Sequence, residues 1–229
     1  MSEHMGTAMQ VLVIGASRGI GLEFVRQYRA EGHRVVATAR DDAALVRLAE
    51  LGAQAFALDV ADAASVSGLA WRIDGTAFDT VILNAGVYGP YTSSLQAPSG
   101  EDFDRVMHTN VLGPMWVMSQ LGNALAPKAR LAVLSSRMGS VGLRTGTSGW
   151  LYSASKAALN SVLKDASLAF AGKAVCVAFH PGWVRTDMGG SGADLTPEQS
   201  VADMRRILAR LTQADNGSFL NHDGQRLAW

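Results

Sequence analysis

The chain of 229 residues is poor in charge and has a single cysteine. Charged side chains make up 17% of it against 48% hydrophobic ones, which excludes an intrinsically disordered protein. The 20 basic and 20 acidic side chains cancel, which argues against a nucleic-acid partner bound through bulk positive charge. The lone Cys176 can form neither an intrachain disulfide nor a thiolate metal cluster, and we expect no metal site.

Long apolar runs are also missing. No stretch of 18 apolar residues occurs, so we expect no membrane-spanning helix and no membrane partner. The first ten residues, MSEHMGTAMQ, lack the basic start and apolar core of a secretory signal, which predicts a cytoplasmic protein. We interpret residues 1–8 as a tail or cloning remnant and residues 9–229 as one domain, because no linker-like segment divides the chain.

The chain does contain a repeated alternation of short apolar runs and longer helical patterns. The runs are almost continuously apolar, which is typical of parallel strands buried on both faces. They span Gln10–Ile14, Arg34–Ala39, Gln54–Leu58, Asp79–Leu83, Ala129–Leu134 and Ala174–Phe179. Helical windows lie between them at Gly19–Glu31, Asp42–Leu51, Ala63–Trp71, Phe103–Leu125 and Leu151–Ala171, and a helix (Pro197–Leu211) and a short strand (Gly217–Leu220) follow. The pattern predicts a single-domain α/β fold, a Rossmann-type doubly wound parallel sheet with helices on both faces.

Polar or glycine residues follow each apolar run. In a doubly wound sheet, ligands bind beyond the carboxyl ends of the strands, near the reversal in strand order. The residues that follow the successive runs are the first glycines, Arg40, Asp59, Asn84, Ser136 and Pro181. We therefore predict one site at this edge, although loops are commonly polar without any ligand.

A glycine-rich turn, Gly15–Gly21 (GASRGIG), joins the first strand to the first helix. Glycines allow a tight turn close to a pyrophosphate, and the helix start offers unpaired N–H groups to that anion. The alternative is a glycine-rich turn that binds nothing. The candidate cofactor-binding residues of this turn are Gly15, Ser17, Arg18, Gly19, Ile20 and Gly21.

Two arginines decide which dinucleotide the turn would accept. Arg18 lies within the turn and Arg40 directly follows the second strand, where an NAD site usually carries a carboxylate. Two guanidinium groups would bind a 2′-phosphate through charge-assisted hydrogen bonds, so we predict NADP(H) rather than NAD(H). The alternative is that both are ordinary surface charges.

Tyr152 and Lys156 lie four residues apart near a predicted helix start, and therefore share one helix face. A neighbouring ammonium lowers the pKa of a phenol, so Tyr152 could exchange a proton with a carbonyl or alcohol oxygen. Ser136 could donate a hydrogen bond to the same oxygen. Asn110 is a poor helix former inside a helical window, so we expect a local break in the helix there. This break could hold a water linked to Lys156 and supply a proton path. These four are the candidate catalytic residues.

Together these motifs make the chain similar to the short-chain dehydrogenase/reductase family, classical type, from about Met9 to Trp229. The stretch Ser135–Ser140 and the end of the chain resemble most the C-factor and sniffer-like branch, whose members are regarded as carbonyl reductases. The matching positions are Gly15–Gly21, Asp59, Val60, Asn84, Ala85, Gly86, Asn110, Ser136, Tyr152, Lys156 and the run Pro181–Thr186.

The resemblance implies roles for several residues. Asp59 would meet the adenine amine and Val60 its ring, while Lys156 would also hold the nicotinamide ribose. The other implied cofactor-binding residues are Asn84, Ala85 and Gly86 at the ribose, Tyr152, and Pro181, Gly182, Val184 and Thr186 at the nicotinamide or pyrophosphate. The resemblance also implies a homodimer or homotetramer through the two long helical windows.

One departure concerns the serine. The gap from Ser136 to Tyr152 is longer than the family usually has, so Ser135, Ser140 and Ser148 are rival candidates for polarising the carbonyl. Aromatic loop residues, Tyr88 and Tyr91 among them, could form a substrate wall or simply pack. We predict an NADP(H)-dependent oxidoreductase acting on a small carbonyl or alcohol. The alternative is an NADP(H)-binding sensor or signalling protein with little turnover.

Overall fold

Residues 8–229 are described by a computed structural model, so most of the predicted tail lies outside the described residues. Across that range, seven parallel strands form one sheet in the order β3-β2-β1-β4-β5-β6-β7. The order reverses between β1 and β4, which creates the switch point at which such sheets bind ligands. The strands are β1 (Gln10–Ile14), β2 (Arg34–Ala39), β3 (Gln54–Ala57), β4 (Phe78–Leu83), β5 (Leu125–Leu134), β6 (Ala174–His180) and β7 (Ser218–Asn221).

Helices cover both faces of the sheet, because alternate strand residues point to opposite sides and both sets are apolar. One face packs against α1 (Gly19–Ala30), α2 (Asp42–Glu50) and α8 (Pro197–Arg210). The other packs against α3 (Ala63–Ser67), α4 (Leu69–Arg72), α6 (Gly113–Gln120) and α7 (Trp150–Ala169), while α5 (Gly100–Met107) precedes α6. The predicted doubly wound fold is confirmed. None of the helices within residues 8–229 has the length and hydropathy needed to cross a membrane.

The helical window Phe103–Leu125 is not one helix. It contains α5, a π-helical turn over His108–Leu112, and α6, and its last residue already belongs to β5. Pro114 explains the break, since proline has no N–H and its ring crowds the carbonyl four residues earlier, which is that of Asn110. The break predicted at Asn110 is therefore present, while the single long helix is a wrong prediction.

Two further boundaries differ from the prediction. The window Ala63–Trp71 divides at Gly68 into α3 and α4. Strand β5 begins four residues early, with a register shift against β4 and with Lys128 in the left-handed region at φ 63°. Both are irregularities of local backbone that apolar periodicity does not encode. Helix α5 begins at Gly100, three residues before its predicted window, and outside that window the other helix and strand ends agree with the prediction to within one or two residues.

Candidate active site

A cleft of about 750 Å³ opens at the carboxyl edge of the sheet, beside the strand-order reversal. Its volume lies within the ~300–1,000 Å³ typical of small-molecule sites. Most of the residues predicted from the sequence line it, so the expectation of one site at this edge agrees with the structure. These lining residues are Gly15, Ser17, Arg18, Gly19, Ile20, Arg40, Asp59, Val60, Asn84, Ala85, Gly86, Tyr152, Lys156, Pro181 and Thr186.

Five predicted residues are not among those that line the cleft: Gly21, Asn110, Ser136, Gly182 and Val184. A side chain on Gly21 would collide with the Gly15 carbonyl, so this glycine serves the close packing of α1 on β1. Val184 is buried and its backbone pairs with Leu195, against which Gly182 also packs at φ +84°. The structure gives these two residues a supporting place in the loop after β6, and their contact with a cofactor stays a prediction.

The glycine turn presents bare backbone to the cleft. Gly15 has φ +85°, and a Cβ there would lie 2.7 Å from Cα of Ala85. Arg18 is the N-cap of α1 but makes no side-chain cap, and no acidic residue occupies the first helical turn. Because neither a capping side chain nor a carboxylate takes up the first N–H groups, the positive end of α1 is available to an anion. The turn therefore fits the pyrophosphate of a dinucleotide.

Three arginines line the cleft near this turn: Arg18, Arg40 and Arg47. Arg18 forms an ion pair with Asp187 at 2.8 Å, and Arg40 Nη1 lies 4.0 Å from an Asp59 oxygen. The side chains of Arg18 and Arg40 remain 73% and 67% exposed, and each guanidinium has five N–H donors, so both retain donors for a phosphate.

Arg47 is the functional candidate that sequence reasoning missed. It lies on α2 and donates from Nη2 to the Ser17 carbonyl at 3.0 Å, which brings a third guanidinium to the glycine turn. Its position in an ordinary amphipathic helix gives no signal by itself. A basic residue on the helix after β2 becomes informative only when the packing of α2 beside α1 is known.

Tyr152, Ser136 and Lys156 come together at the other part of the cleft. Ser136 Oγ accepts from the Met138 N–H at 3.2 Å, and the Ser136 side chain lies close enough to Tyr152 to lower the pKa of its phenol. Lys156 Nζ lies 5.7 Å from the centroid of the Tyr152 ring and donates to the Leu134 carbonyl at 2.8 Å. Gly139 allows the turn after Ser136 to approach α7, since a Cβ there would lie 2.8 Å from the Lys156 carbonyl carbon. All three side chains are buried.

Burial dominates the electrostatics of this trio. It raises the pKa of Tyr152 to about 12, a rise that the nearby Ser136 side chain opposes and that Tyr88 reinforces. Burial also lowers the pKa of Lys156 to about 8. The prediction that the ammonium lowers the pKa of Tyr152 is therefore wrong for the free protein. The reason is that Lys156 Nζ donates to the Leu134 carbonyl, and desolvation of the buried phenolate is the largest influence on the pKa of Tyr152.

The rival serines have other partners. Ser135 Oγ donates to Asn160 Oδ1 at 2.6 Å, and Ser140 Oγ donates to the Trp229 carbonyl at 3.1 Å. Ser148 is exposed in the loop before α7. Among the four serines, Ser136 lies beside Tyr152, which favours it as the carbonyl-polarising residue.

Asn110 supports the site from behind. Its Nδ2 donates to Ser155 Oγ at 2.9 Å, and its amide also bonds the backbone of Val87. A Cβ on Gly86 would lie 3.3 Å from both Asn110 Oδ1 and Lys156 Nζ, so a bare glycine backbone separates the two side chains. The water-linked path between them stays a prediction.

Comparison with known proteins agrees with this geometry. The family model described as short chain dehydrogenase matches residues 9–194. C-signal of Myxococcus xanthus is 37% identical over 66% of this chain and 92% of its own length.

Two solved structures are similar over nearly the whole chain. The carbonyl reductase Sniffer of D. melanogaster has a TM-score of 0.86 at 26% identity, covering 97% of this chain and 100% of that one. A short-chain dehydrogenase/reductase from Burkholderia multivorans with bound NADP has a TM-score of 0.88 at 31% identity, with the same coverage. The likenesses to C-signal and Sniffer confirm the predicted branch.

Proposed function

The chain belongs to the short-chain dehydrogenase family, and from this premise we propose that it transfers a hydride between NADP(H) and a carbonyl or alcohol substrate. One observation carries the proposal: Tyr152, with Ser136 and Lys156 beside it, lines the same cleft as the uncapped start of α1. The bound NADP of the Burkholderia relative and the carbonyl reductase activity named for Sniffer support it.

The cleft residues divide among the parts of the dinucleotide. The turn Gly15–Ile20 and the start of α1 would hold the pyrophosphate, and Arg18, Arg40 and Arg47 the 2′-phosphate. Asp59 and Val60 would hold the adenine. Asn84, Ala85, Gly86 and Lys156 would hold the ribose, with Pro181 and Thr186 beside the nicotinamide. When bound, the nicotinamide supplies the hydride exchange that side chains cannot perform.

The side chains of this protein would supply the proton and orient the hydroxyl that donates it. Tyr152 holds its proton firmly at neutral pH, which suits a general acid that donates to a carbonyl oxygen during reduction. Ser136 orients the Tyr152 hydroxyl and would donate to the same oxygen as negative charge develops there. Lys156, with a pKa of about 8, is mostly charged at pH 7 and attracts the phenolate that forms as the proton leaves.

A second candidate is a cofactor-binding signalling protein with little turnover, which the similarity to a protein called C-signal favours. Against it stands the complete set of Asn110, Ser136, Tyr152 and Lys156, because a protein that only binds a dinucleotide needs no oriented phenol. Both candidates share the cofactor site and differ in whether bound NADPH is consumed.

The deciding experiment follows NADPH absorbance at neutral pH with a panel of aldehydes, ketones and quinones. The proposal expects steady consumption with at least one class. NADPH binding, measured by quenching of tryptophan fluorescence, together with no turnover across the panel would instead support the signalling candidate.

A further inference from the structure

Three tyrosine rings form a continuous stack that ends on Tyr152. The centroids of Tyr88 and Tyr152 are 4.6 Å apart with 24° between the ring planes. Those of Tyr88 and Tyr91 are also 4.6 Å apart, at 22°. Tyr91 forms the outer end of the stack and is 75% exposed. Tyr88 is thus the middle ring, stacked between the exposed Tyr91 and the buried Tyr152.

The middle ring is held from several directions. Its hydroxyl sits against Gly149, where a side chain would collide with it, and Gly149 has φ +60°. The Gly149 N–H donates to the Thr92 carbonyl at 3.0 Å, which ties the start of α7 to the loop that carries the stack. The Tyr91 hydroxyl reaches the Met188 carbonyl at 3.4 Å. The loop after β4 is therefore joined to the start of the helix that carries Tyr152.

We propose that Tyr88 is a positioning residue for Tyr152: its ring fixes the plane of the Tyr152 ring and shields that ring and its hydroxyl from water. The inference rests on the proposed function, since it concerns the proton donor of that reaction. Stacked aromatic pairs at this separation are stabilising beyond the area they bury, so the arrangement holds a defined geometry. From the sequence alone, Tyr88 could equally contact a substrate or simply pack against its neighbours.

The surroundings of Tyr152 make its ionisation a direct readout of this shielding. The titratable groups that face it are Lys156 on its own helix and Tyr88 from the loop after β4, and the Ser136 side chain from the loop after β5 lies close to it. Burial is the largest cause of the raised pKa of Tyr152. Removing the ring of Tyr88 admits water to the phenolate and lowers that pKa, whereas removing its hydroxyl alone keeps the shield and takes away only the smaller coulombic effect of Tyr88.

The test titrates Tyr152 without any turnover. Protein labelled with ¹³C at tyrosine Cζ is followed by NMR from pH 7 to 11, and the Tyr152 signal is assigned by its loss in Tyr152→Phe. With a pKa of about 12, the wild-type signal moves by only about a tenth of its full shift at pH 11. In Tyr88→Leu we expect it to move by about half, a pKa fall on the order of one unit, and in Tyr88→Phe to stay near wild type. With a carbonyl from the panel, the alkaline limb of kcat shifts down in the leucine variant only.

Two results overturn the inference: a Tyr152 signal in Tyr88→Leu that matches wild type, or one in Tyr88→Phe that moves as far as in the leucine variant. Far-UV circular dichroism at pH 11 checks that each variant stays folded. If Tyr88→Leu does not fold, Tyr91→Leu replaces it, because Tyr91 is exposed. Loosening the stack from its outer end should move the Tyr152 signal part of the way. A Tyr152 signal that does not move in this variant contradicts the inference. Because the titration needs no substrate, it can succeed even if the proposed reaction fails.

Discussion

The side chain of Asn110 pairs with both backbone polar groups of Val87. Its Oδ1 accepts from the Val87 N–H at 2.8 Å, and its Nδ2 donates to the Val87 carbonyl at 2.8 Å. The π-helical turn is thereby joined to the loop after β4, which carries Asn84, Gly86 and the stacked tyrosines. Asn110, predicted from the sequence only to hold a water linked to Lys156, thus also fixes the position of the loop that forms one wall of the cleft.

Replacing that anchor should cost both stability and activity. Asn110→Leu leaves the two partly buried backbone groups of Val87 without their side-chain partner, and we expect the free energy of unfolding in urea to fall by about 1–3 kcal/mol. We also expect at least a tenfold loss of NADPH-linked turnover, because Gly86 and Tyr88 lose their fixed position. Asn110→Asp, which keeps the acceptor for the Val87 N–H, should lie between. A leucine variant within about 0.5 kcal/mol of wild type would contradict this account.

Dinucleotide preference should depend on the arginines at the glycine turn. Arg40→Ala and Arg47→Ala each remove a charged donor near the expected 2′-phosphate, so NADPH affinity should fall about tenfold or more while NADH affinity changes little. Tryptophan fluorescence measures both. Arg34→Ala is the matched control, because Arg34 begins the same strand whose end Arg40 follows and is likewise exposed. Equal losses for both dinucleotides would show that the arginines do not read the phosphate.

Lys156→Met should stabilise the protein while abolishing turnover. The pKa of Lys156 is about 8 in the folded chain and 10.5 without burial, so the unfolded state binds more protons between those values. The buried charge therefore destabilises the wild type fully below pH 8, and its cost fades as the pH rises towards 10.5. We expect the variant to be about 1–2 kcal/mol more stable at pH 7, with a gap that narrows above pH 8. Urea unfolding at several pH values measures this difference in the free energy of unfolding. A difference that does not change with pH, or a variant less stable than wild type, argues against a buried charge at Lys156.

Subunit association through the long helices remains a prediction. Phe103 on α5, Met115 on α6 and Leu168 on α7 are exposed apolar side chains on those helices. Light scattering after size exclusion should give a dimer or tetramer for wild type and a smaller species for Met115→Glu. Trp71→Glu serves as the control, because Trp71 is 82% exposed on α4, outside the predicted contact. A monomeric wild-type protein would contradict the predicted association.

The sequence predicted the sheet and the cleft because both depend on short-range pattern: apolar runs bounded by glycine or polar residues fix the strands, and their carboxyl ends meet at one edge. The break at Asn110 was also readable, since it is a poor helix former. The pKa of Tyr152 was not readable, because both its burial and its stacking on Tyr88, sixty-four positions earlier in the chain, depend on tertiary packing. The approach of Arg47 to Ser17 likewise depends on how α2 packs, which no local pattern contains.

The central claim is that Tyr152 is the proton donor of an NADPH-linked reduction. Its most direct test compares Tyr152→Phe with Tyr28→Phe, the same change at a buried core position of α1 where Tyr28 packs against Phe24. The measurements are kcat/KM for the best carbonyl of the panel and the Kd for NADPH. We predict that Tyr152→Phe lowers kcat/KM at least about 100-fold and leaves the Kd within about twofold, while Tyr28→Phe changes neither. A Tyr152→Phe protein that keeps wild-type kcat/KM would contradict the account.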